Sequence, residues 1–380
     1  MTTETILTHA RIVTADEVID GTLLLRDGMI HALEPGRSAV PGGIDCGGDY
    51  LIPGMIELHT DNLDKHIAPR PKVHWPAESA VIAHDAQIAT SGITTVFDSI
   101  AIGDIHHASD RLKTLGAMAE GLASCHQHNM LRAEHFLHLR CEISHGDLLP
   151  HLTELAEHPR LRLISVMDHT PGQRQFADPA QYASYYKNKY QLSDGQLDDF
   201  IRRCRNDREQ YGDANRAAVI DLARTRGFKL ASHDDATVQH ADEAAEAGAV
   251  VAEFPTTTAA AAALREHGIQ ILSGAPNVVR GGSHSGNVSA QSLARDGLVD
   301  ILSSDYVPAS LLLAVFRLVR ELDYSLPAAV ELVAGNPAEA MGLSDRGHIA
   351  VGLRADIVRV AERRDMPLVR AVWREGQRVA

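Results

Sequence analysis

Tyr50-Leu51-Ile52-Pro53-Gly54-Met55-Ile56-Glu57-Leu58-His59-Thr60-Asp61 runs from an apolar stretch into polar residues. The apolar half, Tyr50 to Ile56, reads as a strand. It leads to two metal-ligand residue types spaced i, i+2, and residues so spaced on a strand project to the same side. The spacing therefore predicts that His59 and Asp61 reach one ion together at the mouth of a barrel. A single strand-end histidine is more often a satisfied structural group, so the reading rests on how the other strands end.

From Leu51 to about residue 345, short apolar strands alternate with longer helical stretches. After the first come Ile93 to Asp98, His135 to Glu142, and Leu161 to Met167 followed by Asp168-His169. Then follow Phe228 to Ser232 ending in His233, Ala249 to Phe254, Ile269 to Leu272, and Val299 to Ser303 ending in Ser304-Asp305. Ala241 to Ala247 and Thr257 to Glu266 are Ala-rich and predict helices. Eight strands alternating with helices predict an α/β chain with a TIM-like (β/α)8 barrel, a fold of roughly 250 residues. Residues 1–50 break into β-like pieces, Ile6 to Thr14, Thr22 to Arg26 and Met29 to Leu33, with an Asp27-Gly28 turn that signals a hairpin. The tail, 346–380, returns to such pieces. The two ends are expected to pair as a small β-sandwich module beside the barrel, residues 51–345.

The bulk numbers agree. The chain has 380 residues, 44% of them hydrophobic, enough for a large core. Its 36 Lys+Arg against 50 Asp+Glu give a net charge of −14, which argues against nonspecific binding to nucleic acid or a membrane surface. Cys46, Cys125, Cys141 and Cys204 are scattered and form no CxxC pair, so neither a disulfide framework nor a zinc knuckle is expected. Met1 to Glu4 lack a basic and apolar leader, and Leu311 to Phe316 is far too short to span a bilayer. A soluble cytoplasmic protein is the expectation, with room for a homo-oligomer.

Polar residues end the predicted strands: His59 and Asp61 at the first, Glu142 at the third, His169 at the fourth, His233 at the fifth and Asp305 at the eighth. Sites of such barrels gather at these carboxyl ends. Imidazole and carboxylate together suit zinc or manganese, with Glu142 able to bridge two ions. A divalent metal draws the pKa of water towards neutral, and Asp305 is the residue type to take its proton. Asp168 competes with His169 for the inward position, and His135 and His138 read as supporting residues or surface.

These residues carry a resemblance. The β pieces of both ends, the stretch 51–59, His233, Asp305 and the tail Gly347 to Val358 resemble the amidohydrolase superfamily over nearly the whole chain. That resemblance implies metal-dependent hydrolysis. Its usual first motif is His-x-His, where this chain has His59-x-Asp61. Its usual bridging group is a lysine carbamate or a glutamate. No lysine ends the fourth strand, so Glu142 is the candidate, with one or two ions both open.

A narrower resemblance rests on longer strings. His59 to Lys65, Pro69 to Lys72, Met167 to Phe176, Ala231 to Asp235, Glu253 to Thr256, Gly274 to Asn287 and Ser303 to Tyr306 are similar to the triphosphate diphosphatase family of the carbon–phosphorus lyase pathway. It implies a small ribosyl triphosphate substrate, hydrolysed to the 5-phosphate and pyrophosphate. The residues read on their own agree. Lys65, Arg70 and Lys72 follow the first strand and Arg174 the fourth. Arg280 precedes a Gly/Ser-rich loop with Ser283 and His284. Arg grips phosphate through two N–H groups, Lys acts as a point charge, and such a loop offers main-chain donors. An amide or cyclic-amide hydrolase or deaminase of the superfamily would use the same metal centre, but has no need of the cationic loops.

Overall fold

A computed structural model describes residues 4–36, 38–70, 72–103, 111–174, 187, 192–282 and 287–380. The chain begins with β1 (Glu4–Val13), β2 (Val18–Arg26), β3 (Met29–Pro35), β4 (Ile44–Asp45) and β5 (Tyr50–Pro53). Eight strands follow: β6 (Met55–Thr60), β7 (Ile93–Ile102), β8 (Glu134–Glu142), β9 (Leu161–Met167), β10 (Lys229–His233), β11 (Val251–Glu253), β12 (Gln270–Gly274) and β13 (Ile301–Ser303). The tail adds β14 (Ile357–Arg363), β15 (Met366–Arg374) and β16 (Gln377–Arg378).

Strands β6 to β13 are parallel neighbours in chain order, the arrangement of a (β/α)8 barrel. The seam between β13 and β6 is drawn together by a parallel bridge from Thr60 to Asp305 and by Glu57. The fully buried Glu57 carboxylate accepts from Ser303 Oγ at 2.8 Å and from the Ser304 backbone at 2.5 Å. Ile56, Phe97, Phe136, Leu163, Val251 and Ile301 fill the lower barrel interior. β7 is buried over its whole length, as a strand with a packed interior on one face and helices on the other must be. Two helices matter most for the site, α1 (Asn62–Ile67) and α2 (Ala77–Thr90).

The second sheet has the order β16-β15-β14-β5-β1-β2-β3, with β4 on β1. Both chain ends build it, as expected, because β14 lies antiparallel to β5. Leu7, Ile12, Leu23, Leu25, Ile357 and Trp373 share its core.

The single strand expected over Tyr50 to Ile56 is two strands in two different sheets. Gly54 separates them. Its N–H reaches Asp356 O at 2.8 Å, and a Cβ on it would overlap the Thr94 side chain. Pro53 and Gly54 let the chain leave the terminal sheet and enter the barrel at once. The first strand also ends earlier than expected. Asp61 lies beyond Thr60 with φ −98° and ψ 17°, so period-two reasoning stops short of it. No described helix is long and apolar enough to cross a membrane.

Candidate metal centre

The barrel mouth is built in two polar layers. The lower one centres on Glu253, the last residue of β11, which is fully buried. Its carboxylate takes His59 Nδ1 at 2.8 Å, His233 Nδ1 at 2.9 Å and Ser165 Oγ at 2.8 Å, with His138 Nε2 at 3.6 Å. Burial alone would raise its pKa, but the charges of His59 and His138 and the hydrogen bonds outweigh that and hold it well below the ordinary carboxylate range. The pairing register of β6 slips between Glu57 and Thr60, and within that irregular stretch His59 meets the interior groups. Its ring stacks on His233 with centroids 5.6 Å apart.

Above this layer, His169 Nε2 and His233 Nε2 converge on Asp234 Oδ2 at 3.8 and 3.5 Å. The opposite nitrogens are already used. His169 Nδ1 is 2.6 Å from Glu142 Oε2, and His233 Nδ1 is held by Glu253. Glu142 is fixed in turn, with Oε1 accepting from Ser144 Oγ at 2.7 Å. Asp234 Oδ2 is buried and has no hydrogen-bond partner, and burial lifts the carboxyl pKa to about 7. Burial pushes His233 down to about 3, so its ring is neutral. For His169 burial works the same way, but the Glu142 hydrogen bond and charge overcome it and raise the ring.

These three atoms suit a divalent metal. Two imidazole nitrogens and a carboxylate oxygen are donors that zinc and manganese accept. A tetrahedral ion with bonds of about 2.0–2.1 Å spreads its ligand atoms about 3.3 Å apart, close to the spacings to Asp234. Carboxylates behind the ligating rings, here Glu142 and Glu253, fix tautomer and orientation. A second His/Asp group makes the contrast. His84 Nε2 and His135 Nδ1 each lie 2.7 Å from the Asp98 carboxylate, and His135 Nε2 is 3.2 Å from Asp85. Those spacings are hydrogen bonds, so the group between α2 and the barrel is a proton-linked network.

The remaining residues predicted for the site do not join these three atoms. Asp61 caps α1, and its N–H bonds the Asp305 carbonyl at 3.2 Å, bringing the two backbones together at the seam. Asp305 has a left-handed φ of 53°, as have Asp234 at 54° and Phe254 at 55° on other strand exits, a conformation costing each roughly 1–3 kcal/mol. Lys65 on α1 donates to the Tyr306 carbonyl beside Asp305. Arg70, Lys72 and Arg280 are exposed. Arg174 is engaged by Asp235 and Glu243, so its charge is already balanced inside the protein. Ser283, His284 and most of the Tyr182 to Tyr190 segment lie outside the described residues. Of the pair left open, His169 joins the mouth, while Asp168 pairs with Arg208 at 2.7 Å. His135 and His138 are buried, not surface residues.

Sequence reasoning missed Glu253 and Asp234. The predicted strand Ala249 to Phe254 runs one residue past Glu253, which hid it from the rule that found Glu142. Asp234 follows His233 directly, and strand alternation assigns it to the opposite side. Its positive φ turns the chain there, and no periodicity forecasts that.

Residues 80–380 match the Amidohydrolase family. The chain is 48% identical over 377 residues to the alpha-D-ribose 1-methylphosphonate 5-triphosphate diphosphatase of Escherichia coli (strain K12), covering 98% of this chain and 100% of that one. Among solved structures, 5-methylcytosine deaminase from Klebsiella pneumoniae liganded with 5-fluorocytosine is similar with a TM-score of 0.67 at 16% identity, over 99% of this chain and 97% of that one. N-acetylglucosamine-6-phosphate deacetylase from Pasteurella multocida gives 0.64 at 14% identity, over 99% of both. At such identities these likenesses speak for the fold alone.

Proposed function

The chain belongs to the amidohydrolase family, and from that premise we propose that it hydrolyses alpha-D-ribose 1-methylphosphonate 5-triphosphate to the 5-phosphate and pyrophosphate. The observation that carries this reading is the end-to-end 48% identity to the diphosphatase.

His169, His233 and Asp234 are the groups to hold a divalent cation, zinc or manganese. His59, Asp61 and Asp305, on the seam side of the mouth, remain the candidates for a second ion. A cation held there would supply Lewis acidity towards a phosphoryl oxygen and would lower the pKa of water. Glu142 and Glu253 keep both imidazoles in the tautomer with Nε2 free. Asp305 takes the proton of the attacking water; its backbone is fixed by Thr60 Oγ1, which donates to its carbonyl at 2.6 Å. Lys65, Arg70, Lys72 and Arg280 form the cationic rim for the departing pyrophosphate.

Purified protein given the ribosyl triphosphate should release pyrophosphate. A chelator should abolish this, and zinc or manganese should restore it. Release of orthophosphate alone, or of nothing, would overturn the reading.

A further inference from the structure

Inside the barrel stands a cation for which the surrounding carboxylates provide no partner. Arg140 lies on β8 between His138 and Glu142, and residues two apart on a strand share a face. His138 and Glu142 both face the interior, and Ser165, the ladder neighbour of Arg140, bonds Glu253 there. Arg140 thus enters the barrel between the two polar layers. Its Nε is buried and has no hydrogen-bond partner. Four other arginines with little exposed side chain are paired: Arg174 with Asp235, Arg208 with Asp168, and Arg346 and Arg354 with Glu134. Among the described residues Arg140 forms no such pair.

A buried guanidinium N–H left without an acceptor is costly. One set beside metal-ligand nitrogens would also repel the cation they hold. A single anion shared by both resolves the two difficulties. The unpartnered Nε, with its neighbouring Nη, presents the side-on edge that grips two oxygens of a phosphoryl group.

We propose that Arg140 is a further substrate-binding residue, gripping the phosphoryl group that lies against His169, His233 and Asp234. This rests on the triphosphate reading above. It assigns the innermost anion subsite to the barrel wall rather than to the exposed rim of Lys65, Arg70, Lys72 and Arg280. It also makes the pocket selective for a tetrahedral oxyanion over an uncharged amide.

The test uses the metal-loaded full chain and the variants Arg140→Gln and Arg140→Lys. Binding of inorganic pyrophosphate is measured by calorimetry, metal content by elemental analysis, and turnover by pyrophosphate release. Arg140→Gln should keep its metal, lose at least 10-fold in pyrophosphate affinity and lose on the order of 100-fold in kcat/KM. Arg140→Lys, which keeps the charge but not the paired donors, should recover only part of either, and it carries the test if the glutamine variant does not fold. A variant that is less stable to heat yet binds pyrophosphate as the wild type does would make Arg140 a structural counter-ion and overturn the proposal. If wild type binds pyrophosphate through Arg140 but does not cleave the ribosyl triphosphate, the substrate reading fails while the anion subsite stands. If wild type is active and both variants match it, the subsite fails while the activity stands.

Discussion

His135 offers both ring nitrogens to carboxylates, Nδ1 to Asp98 and Nε2 to Asp85, so it is an imidazolium beneath the barrel wall. Burial opposes that charge, but the two aspartates outweigh it and raise the pKa to about 9. A folded-state pKa above the unfolded value of roughly 6.5 contributes stability that is complete below pH 6.5 and lost as the pH climbs through 9, on the order of 3 kcal/mol. The difference in unfolding free energy between wild type and His135→Gln, followed by urea melts from pH 6 to 9.5, should therefore shrink as the pH rises. A constant difference would remove the charge from His135. The neighbouring Glu253 yields another outcome. Glu253→Gln takes a carboxylate from behind His59 and His233, and metal affinity should fall about 10–100-fold in a chelator competition. Unchanged affinity would mean that the rings need no such support. At this scale residue type was legible in the sequence, since His59, His169 and His233 could be picked out at strand ends. Partnership was not legible: Glu142 and Glu253 each end a strand as an acid, and only the folded chain puts both behind an imidazole.

Gly54 is the element-scale counterpart. The apolar residues on either side of it made a single strand plausible, yet Pro53-Gly54 is also a strong punctuator, and that signal was the one to weigh. Gly54→Ala should cost roughly 1–3 kcal/mol, because the new methyl group must displace Thr94 in a fully buried stretch. Pairing it with Thr94→Ala tests the mechanism, since removing the Thr94 hydroxyl and methyl should return part of the loss in denaturant melts. Elsewhere the strands were readable because a buried parallel strand is a short run of β-branched residues, as in Ile93-Thr94-Thr95-Val96. Exits were less readable. Asp234, Phe254 and Asp305 all adopt positive φ at strand exits, and none is a glycine that would advertise it.

Across the whole molecule, the lower rim of the barrel is tied to the tail by charge. Glu134, at the start of β8, accepts from Arg346 and Arg354 at 2.6 Å each and from Arg160 at 2.9 Å. Burial would raise the Glu134 carboxyl, but Arg346 and the hydrogen bonds outweigh it and hold it far below the ordinary range. Arg354 also grips Asp356 at the entrance to β14. Glu134→Gln removes the charge and one of the two acceptor oxygens that three guanidinium groups share, and roughly 2–4 kcal/mol of unfolding free energy should be lost, measured at neutral pH in urea. A loss under 0.5 kcal/mol would reduce the cluster to surface decoration. The overall architecture was legible because alternation of strand and helix is a long-range pattern that survives errors at any one boundary. The clamp was not, since Glu134 and Arg354 are 220 positions apart and neither belongs to a motif.

The pairing of β14 with β5 sets a timetable for synthesis. β5 runs through Gly54 directly into the strand that bears His59, yet its partner β14 is made only after every strand of the barrel. A nascent chain still short of Ile357 holds the barrel sequence in full, but one edge of β5 stays bare. Competence for turnover should therefore appear late and abruptly, after translation has passed that strand.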